Sequence, residues 1–337
     1  MPAKTAKPSS PLTAQDIAEL AEVSVMTVSR YFNAPEKLAA TTRARIQRIV
    51  SETGYTINQA ASSLRLNRSQ LVAAIFPSLS SPIFNDTITA LTATLNQQGF
   101  QLMIGQSGYD LRQEERLLGT ILGRRPDGII LTGTEHSQAT RNMLQNSDIP
   151  VVEIWDISSP PLDISVGFSH AEVGTAVAQH LHESARRRPA TIGADDTRSL
   201  IRCRAFSSSI AAHQGQAAPI ITVPAPATLA SARAATRQLL AQHPDTDAIF
   251  CNSDLIAMGA LIEAGAAGLD VPSRLAVIGF GDLTFLQGHE PAISSVRVDA
   301  AAIGEQAALR LMQRIRHGLV ESPVTDLGFS IVRRATS

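Results

Sequence analysis

Residues 12–33 read LTAQDIAELAEVSVMTVSRYFN, and this stretch decides the fold of the first part of the chain. Thr13 and Asp16 have the spacing of a capping box, which predicts a helix that begins near Ala14. A short turn follows, and Ser24 is a favourable cap for a second helix. Two short helices joined by such a turn form a helix-turn-helix, whose second helix lies in the major groove of DNA.

The second predicted helix has an inward side and an outward side. Its spacing places Val25 and Val28 inward. The outward side chains are those of Met26, Thr27, Ser29 and Arg30. Arg30 is the strongest candidate for base recognition, because its planar guanidinium can donate two hydrogen bonds to one guanine. The pattern alone also fits a pair of amphipathic helices in some other all-α domain, so the continuation of the chain has to separate the two interpretations.

That continuation resembles the DNA-binding domain and hinge of the lactose-repressor (LacI/GalR) family of transcription regulators. The family string V-S-x-x-T-V-S-R-x-x-N is present as Val23, Ser24, Thr27, Val28, Ser29, Arg30 and Asn33. The resemblance reaches the C-terminal part through IFCNSDLIAMGA (249–260), RLAVIGFGD (274–282) and LGFSIVRRATS (327–337). The strings LVAAIFPSLSSPIF (71–84), PVVEIWD (150–156), PPLDISVGF (160–168) and DLGF (326–329) resemble the gluconate-repressor branch in particular.

A short alanine-rich segment, NQAASSLR at 58–65, is too short to be a stable helix alone in water. The resemblance implies that it is a hinge helix that orders on operator DNA and inserts Leu64 into the minor groove. A plain linker is the alternative. With the hinge included, the expected DNA-binding residues are Thr13, Ser24, Val25, Met26, Thr27, Ser29, Arg30, Asn33, Asn58, Leu64 and Arg65.

From residue 71 onward, about eight short apolar runs alternate with helical stretches, which predicts doubly wound parallel sheets. The resemblance implies two lobes like those of periplasmic binding proteins. We therefore expect a small all-α helix-turn-helix domain (1–57), a hinge (58–68) and a two-lobed α/β domain for effector binding and dimerisation (69–337). The expected N-subdomain is 69–168 plus 297–327, and the expected C-subdomain is 169–296 plus 328–337.

Charge is unevenly distributed along the 337 residues, whose net charge is −1. Residues 1–70 contain nine basic and five acidic residues, a net of +4, which leaves −5 for the rest. A basic first domain suits contact with DNA phosphates. The N-terminus has no apolar signal-peptide core and no window reaches about 20 apolar residues, so we expect a cytoplasmic protein that does not interact with membranes.

Enzyme motifs are missing from the sequence, which contains no GxxxxGK[ST], GxSxG or HExxH. Cys203 and Cys251 lack metal-binding spacing, and His180 and His182 do not share a helix face. We therefore expect no catalytic residues, no metal and no cofactor.

Candidate effector residues come from the predicted strand ends, because ligands of such sheets bind beyond the carboxyl ends of the strands. They are Ser80, Phe84, Gln106, Tyr109, Thr132, Glu153, Asp156, Arg202, Ser253, Asp254 and Asp282. The resemblance implies that Arg202 reaches sugar hydroxyls or carboxylates; a purely structural ion pair is the alternative. Ser253 replaces the usual asparagine of the family, and Gly281 replaces a common sugar-binding aspartate. A missing carboxylate favours an anionic ligand, so we expect a sugar acid such as gluconate, a ketogluconate or a phosphorylated relative.

The sequence as a whole predicts a homodimeric repressor that binds double-stranded operator DNA and responds to a small carbohydrate acid. The chain shows no leucine heptads after residue 327, so a dimer is expected rather than a tetramer. One alternative keeps the DNA-binding role but replaces the effector by a protein co-regulator or a phosphorylated sugar. Another is a transport-type sugar-binding protein, which would share the two-lobed body but not the first domain.

Overall fold

A computed structural model describes residues 12–56, 68–286 and 288–337. The chain divides into two compact units, Met1–Ser69 and Gln70–Ser337. No helix in the described ranges is long and apolar enough to cross a membrane.

The first unit contains three α-helices in its described part: α1 (Ala14–Leu20), α2 (Val25–Asn33) and α3 (Ala40–Thr53). The predicted capping box is present, since the Asp16 carboxylate accepts from the Thr13 backbone N–H at 2.7 Å and the Thr13 hydroxyl accepts from the Asp16 N–H. Ser24 caps α2 as expected. Apolar side chains from all three helices pack together in a small core, formed by Ile17, Ala18, Ala21, Val28, Ile46, Ile49 and Tyr55.

The second unit contains two six-stranded sheets. The first sheet, with its helices, is called the N-lobe. Its strands are β1 (Leu71–Phe76), β2 (Gln101–Gln106), β3 (Gly128–Thr132), β4 (Val151–Ile154), β5 (Ile164–Gly167) and β11 (Val324–Asp326), in the order β11-β5-β4-β3-β1-β2. All of them are parallel. Its helices are α4 (Asn85–Gln97), α5 (Leu111–Leu122), α6 (Gln138–Gln145) and α11 (Ala300–His317).

The second sheet, with its helices, is called the C-lobe. Its strands are β6 (Pro189–Ala194), β7 (Ile220–Val223), β8 (Ala248–Cys251), β9 (Ala276–Gly281), β10 (Ser294–Arg297) and β12 (Ser330–Val332), in the order β12-β10-β9-β8-β6-β7. Only β12 runs antiparallel, against β10, among the strands described. Its helices are α7 (His170–Glu183), α8 (Thr197–Gln214), α9 (Leu229–Gln242) and α10 (Asp254–Ala266).

The chain passes between the two sheets after β5, after β10 and after β11. Four of these strands, β5, β10, β11 and β12, were not among the apolar runs that predicted the sheets. Their sequences are ISVG, SSVR, VTD and SIV, with no more than two large apolar residues each, so they lack the continuous apolar run that predicts a buried strand.

Candidate functional site

The outward side of α2 is the first candidate site. Met26 is 71% exposed and Arg30 is exposed, whereas Val28 is fully buried in the core of the first unit. Thr27 is half-buried, and its hydroxyl lies 2.9 Å from that of the helix cap Ser24.

The other predicted DNA-binding residues differ in how far they are exposed and in whether the structure describes them. Val25 and Ser29 are also half-buried, and Asn33 is the last residue of α2. Asn58, Leu64 and Arg65 lie outside the described residues, so their roles remain predictions.

The second candidate site lies between the carboxyl ends of the strands of the two lobes and consists of two neighbouring cavities. The first, called the cationic cavity, has a volume of about 260 Å³, and the second, called the acidic cavity, about 390 Å³. Tyr109, Asp196 and Arg198 line both of them. The predicted residues Ser80, Phe84, Tyr109, Arg202 and Ser253 line the cationic cavity, and Thr132, Asp156 and Tyr109 line the acidic one.

Arg202 lies in the second turn of α8 and not at a strand end, which corrects the position expected from the sequence. Gly174 of α7 allows this helix to approach closely, because a Cβ there would overlap the carbonyl oxygen of Arg202. The guanidinium of Arg202 is buried and lies 4.0 Å from the centroid of the Phe280 ring. Neighbouring loops and helices therefore hold this side chain in place from several sides.

Neutral groups accept the hydrogen bonds of Arg202. Its Nε donates to Asn252 Oδ1 at 2.7 Å and its Nη2 donates to the Asn252 carbonyl at 3.3 Å. Its Nη1 donates to His170 Nδ1 at 2.8 Å, and His170 Nε2 in turn donates to the Trp155 carbonyl at 2.8 Å. Burial and the charge of Arg202 hold the pKa of His170 well below its usual range, so the imidazole is neutral. Burial also lowers the pKa of Arg202, to about 10, which leaves it charged at neutral pH.

Two predicted effector residues of the N-lobe make hydrogen bonds or close contacts within the protein and lie outside the cavities. Gln106 is exposed, and its side chain accepts a hydrogen bond from the Leu79 N–H at 3.0 Å. Glu153 lies inside β4 and not beyond it, and its Oε2 accepts from the Leu162 N–H at 2.7 Å while its Oε1 is 3.3 Å from His136 Nε2. Neither residue lines the two cavities.

Two predicted residues of the C-lobe also lie outside the cavities. The carboxylate of Asp254 accepts from the Ser295 hydroxyl at 2.6 Å and from the Leu283 N–H at 2.7 Å, which fixes the loop after β9. Asp282 accepts from Arg297 at 2.7 Å and from Arg334 at 2.6 Å. Burial alone would raise the pKa of Asp282, but these two arginines lower it. Both carboxylates therefore have structural partners already.

The cationic cavity contains several residues that the sequence analysis missed: Trp155, His170, Arg198, Asn252 and Phe280. Asn252 directly follows β8, so the strand-end rule that selected Ser253 could have found it. Arg198 precedes Arg202 by four residues, and that helical spacing places the two on one face of α8. His170 gives no comparable local signal, because its role depends on the contact with Arg202.

A helix-turn-helix unit and a two-lobed unit with a cavity between its sheets define the architecture of a ligand-responsive, DNA-binding transcription regulator. Residues 13–58 match the protein family described as "Bacterial regulatory proteins, lacI family". Residues 69–327 match a second family, described as "Periplasmic binding proteins and sugar binding domain of LacI family". The chain belongs to the LacI family.

Similar proteins support this assignment over most of the chain. The "HTH-type transcriptional regulator GntR" of Pseudomonas aeruginosa is 36% identical over 329 residues, which cover 96% of this chain and 95% of that protein. The crystal structure of a LacI family transcriptional regulator from Silicibacter pomeroyi has a TM-score of 0.89 at 33% identity, covering 97% of this chain and 99% of that one. The crystal structure of the transcription regulator GntR from Chromobacterium violaceum has a TM-score of 0.75 at 33% identity, and the match covers 79% of this chain and 99% of that one.

Proposed function

We propose that this LacI family regulator is a homodimeric repressor whose affinity for operator DNA is controlled by a sugar acid, gluconate or a ketogluconate, bound in the cavities between its lobes. The observation that carries the proposal is the state of Arg202. Its buried cation makes no ion pair with a carboxylate in the described part of the chain, and its three hydrogen bonds go to neutral acceptors. A guanidinium has five N–H donors, so two remain for a ligand carboxylate.

The acidic cavity suits the other end of such a ligand. Its lining includes the carboxyl groups of Asp110, Glu114, Glu135, Asp156, Asp195 and Asp196. Carboxylates accept hydrogen bonds from sugar hydroxyls, and they repel a second anionic group. A ligand with its carboxylate at Arg202 and its hydroxyls in the acidic cavity therefore matches the charge of the two cavities better than a neutral hexose does.

Binding would control DNA affinity through the lobes, because a ligand that contacts both of them favours one arrangement over another. Such coupling is reciprocal, so operator DNA must change the affinity for the effector by the same factor by which the effector changes the affinity for operator. The resemblance of residues 58–65 to a hinge helix supplies the segment on which this change would act.

Titration calorimetry of the unaltered protein with gluconate, 2-ketogluconate, 6-phosphogluconate and glucose tests the proposal. We expect a micromolar Kd for gluconate or the ketogluconate, a binding free energy of about −7 to −9 kcal/mol, and binding of glucose at least ~100-fold weaker. Equal affinity for glucose would contradict the assignment of a sugar acid. Tighter binding of 6-phosphogluconate would instead favour a phosphorylated effector.

DNA recognition provides a second prediction. If Arg30 donates two hydrogen bonds to a guanine, Arg30→Ala should cost roughly 1 to 3 kcal/mol and relax the preference at one base pair of each half-site. The measurement is a competition assay in which each guanine of the operator is replaced in turn. Arg48→Ala, which removes an exposed arginine of α3, is the matched control and should weaken binding to all sequences alike. Uniform weakening by Arg30→Ala as well would show that Arg30 contacts phosphates only.

A further inference from the structure

Arg198 reaches from the C-lobe to the N-lobe. It belongs to the first turn of α8, one helical turn before Arg202. Its guanidinium carbon lies 5.9 Å from the centroid of the Phe84 ring, and a Cβ on Gly133 would lie 3.5 Å from its Nη1. Phe84 and Gly133 both belong to the N-lobe. The charged end of this side chain is therefore placed against the lobe opposite to the one that carries its backbone.

The same side chain has a buried polar atom, Nη1, that lacks a hydrogen-bond partner among the residues that the structure describes. A guanidinium N–H without an acceptor is costly when buried, which makes an oxygen ligand at this position favourable. Arg198 lines the cationic cavity together with Arg202. Burial is the main cause that lowers the pKa of Arg202; the charge of Asp196 opposes it and that of Arg198 adds to it. Asp196 also lines the cavity, but one of its oxygens accepts from the Ser199 N–H at 3.2 Å as the cap of α8. The two arginines thus share a cavity in which an oxygen of a ligand anion would accept from the unmet donor of Arg198.

We propose that Arg198 is the second residue that contacts the effector carboxylate. Through this contact, binding of the anion draws the two lobes together. This inference rests on the proposed sugar-acid function. Arg202 contacts Asn252, Phe280 and His170 of the C-lobe. It reaches the N-lobe through the hydrogen bond of His170 to the Trp155 carbonyl, so its own guanidinium makes no direct contact to the N-lobe among the described residues. A carboxylate shared with Arg198 would also stabilise the guanidinium in its place beside Gly133 and Phe84. The neighbouring Thr197 hydroxyl already donates across the lobes to Glu135, so α8 begins at the point where the lobes meet.

The test compares Arg198→Gln and Arg198→Lys with Arg204→Gln, which removes an exposed arginine of the same helix. Gluconate and glucose are titrated while the fluorescence of Trp155 is recorded, since it is the only tryptophan of the sequence and lines the cavity. We expect Arg198→Gln to raise the Kd for gluconate at least tenfold and leave that for glucose within twofold. We expect Arg198→Lys, which keeps the charge, to lie between Arg198→Gln and the unaltered protein, and Arg204→Gln to have no effect.

The second readout is coupling to DNA, measured as the ratio of operator affinities without and with saturating gluconate. We expect this ratio to fall at least fivefold in Arg198→Gln. Unchanged gluconate affinity in a folded Arg198→Gln would overturn the carboxylate contact, and the proposed function would stand. Weakened affinity with full coupling would overturn the link between the lobes. Failure of the unaltered protein to bind any sugar acid would overturn both proposals.

Discussion

Replacing Arg202 by methionine should weaken gluconate binding at least ~100-fold and leave the weak binding of glucose nearly unchanged. Methionine fills much of the same volume but has no charge and no N–H donors. Each hydrogen bond to a charged group contributes about 1.5 to 3 kcal/mol, so the loss of two corresponds to roughly two or more factors of ten in Kd. Trp155 fluorescence and calorimetry on the same variant measure this directly.

The same substitution should change the stability of the ligand-free protein much less than it changes the affinity for gluconate. Burial lowers the pKa of Arg202 to about 10 from an ordinary value of 12.5. A lowering of this size corresponds to a cost on the order of 3 kcal/mol for keeping the charged form in the folded state. Arg202→Met removes that cost but leaves acceptors on Asn252 and His170 unpaired, so we expect a change in Tm of only a few degrees. The gain in Tm on adding gluconate should disappear.

Arg204→Met is the control for Arg202→Met, because Arg204 lies on the same helix but is exposed. It should bind gluconate like the unaltered protein. Gluconate binding that survives in Arg202→Met, with a normal thermal transition, would show that the carboxylate lies elsewhere and that Arg202 is a structural residue. That was the alternative left open by the sequence.

The first unit could be predicted from local rules. Thr13 with Asp16, and Ser24 alone, fix the starts of two helices through caps that involve residues only three positions apart. The strands β1 to β4 and β6 to β9 were predictable because each belongs to a largely apolar run, which is typical of parallel strands covered by helices. The short strands β5, β10, β11 and β12 could not be predicted in this way, since they form where the chain crosses between the sheets and depend on distant partners.

The candidate effector site could be predicted only in part. Strand-end reasoning brings Ser80, Tyr109 and Ser253 to the cationic cavity, because the carboxyl ends of parallel strands meet at one edge. It misplaces Glu153, since neighbouring side chains of a strand point to opposite faces and those of Val152 and Ile154 already occupy the other face. Asp282 was misplaced for a different reason, because its two arginine partners lie 15 and 52 positions away in the sequence.

The residues near Glu153 form a buried charged cluster that no sequence pattern indicated. His136 Nδ1 lies 2.7 Å from Glu114 Oε1, and the His136 side chain is fully buried. Its Nε2 is directed to the Gly133 carbonyl at 3.2 Å and also lies 3.3 Å from Glu153 Oε1. Burial alone would lower the pKa of His136, but the hydrogen bond to Glu114 and the nearby charges of Glu114 and Glu153 raise it to about 9. The imidazolium therefore stands between two buried carboxylates and supports the loop that carries Gly133 and Thr134.

Substitution of this histidine should cause a large loss of stability. His136→Gln leaves two buried carboxylates without a cation, and breaking a buried pair in this way costs about 3 to 5 kcal/mol. For a unit of this size, that loss should lower Tm by roughly 5 to 10 °C, as measured by calorimetry near pH 7. Adding Glu153→Gln should restore much of it, because one of the stranded charges is then removed. His243→Gln, at an exposed histidine, is the control and should change the free energy of unfolding by no more than about 0.5 kcal/mol.

The pH dependence of stability gives an independent check on the same cluster. Because the folded protein binds the His136 proton more tightly than the unfolded chain, the contribution of this residue is fully present below the ordinary histidine pKa of about 6.5. It is lost as the pH rises from there through about 9. The free energy of unfolding of the unaltered protein should therefore fall over this window, with a slope of up to about 1.4 kcal/mol per pH unit. His136→Gln should show a flatter profile. An equal slope in the variant would mean that His136 is not the group that titrates, and that the two glutamates are stabilised by something other than its charge.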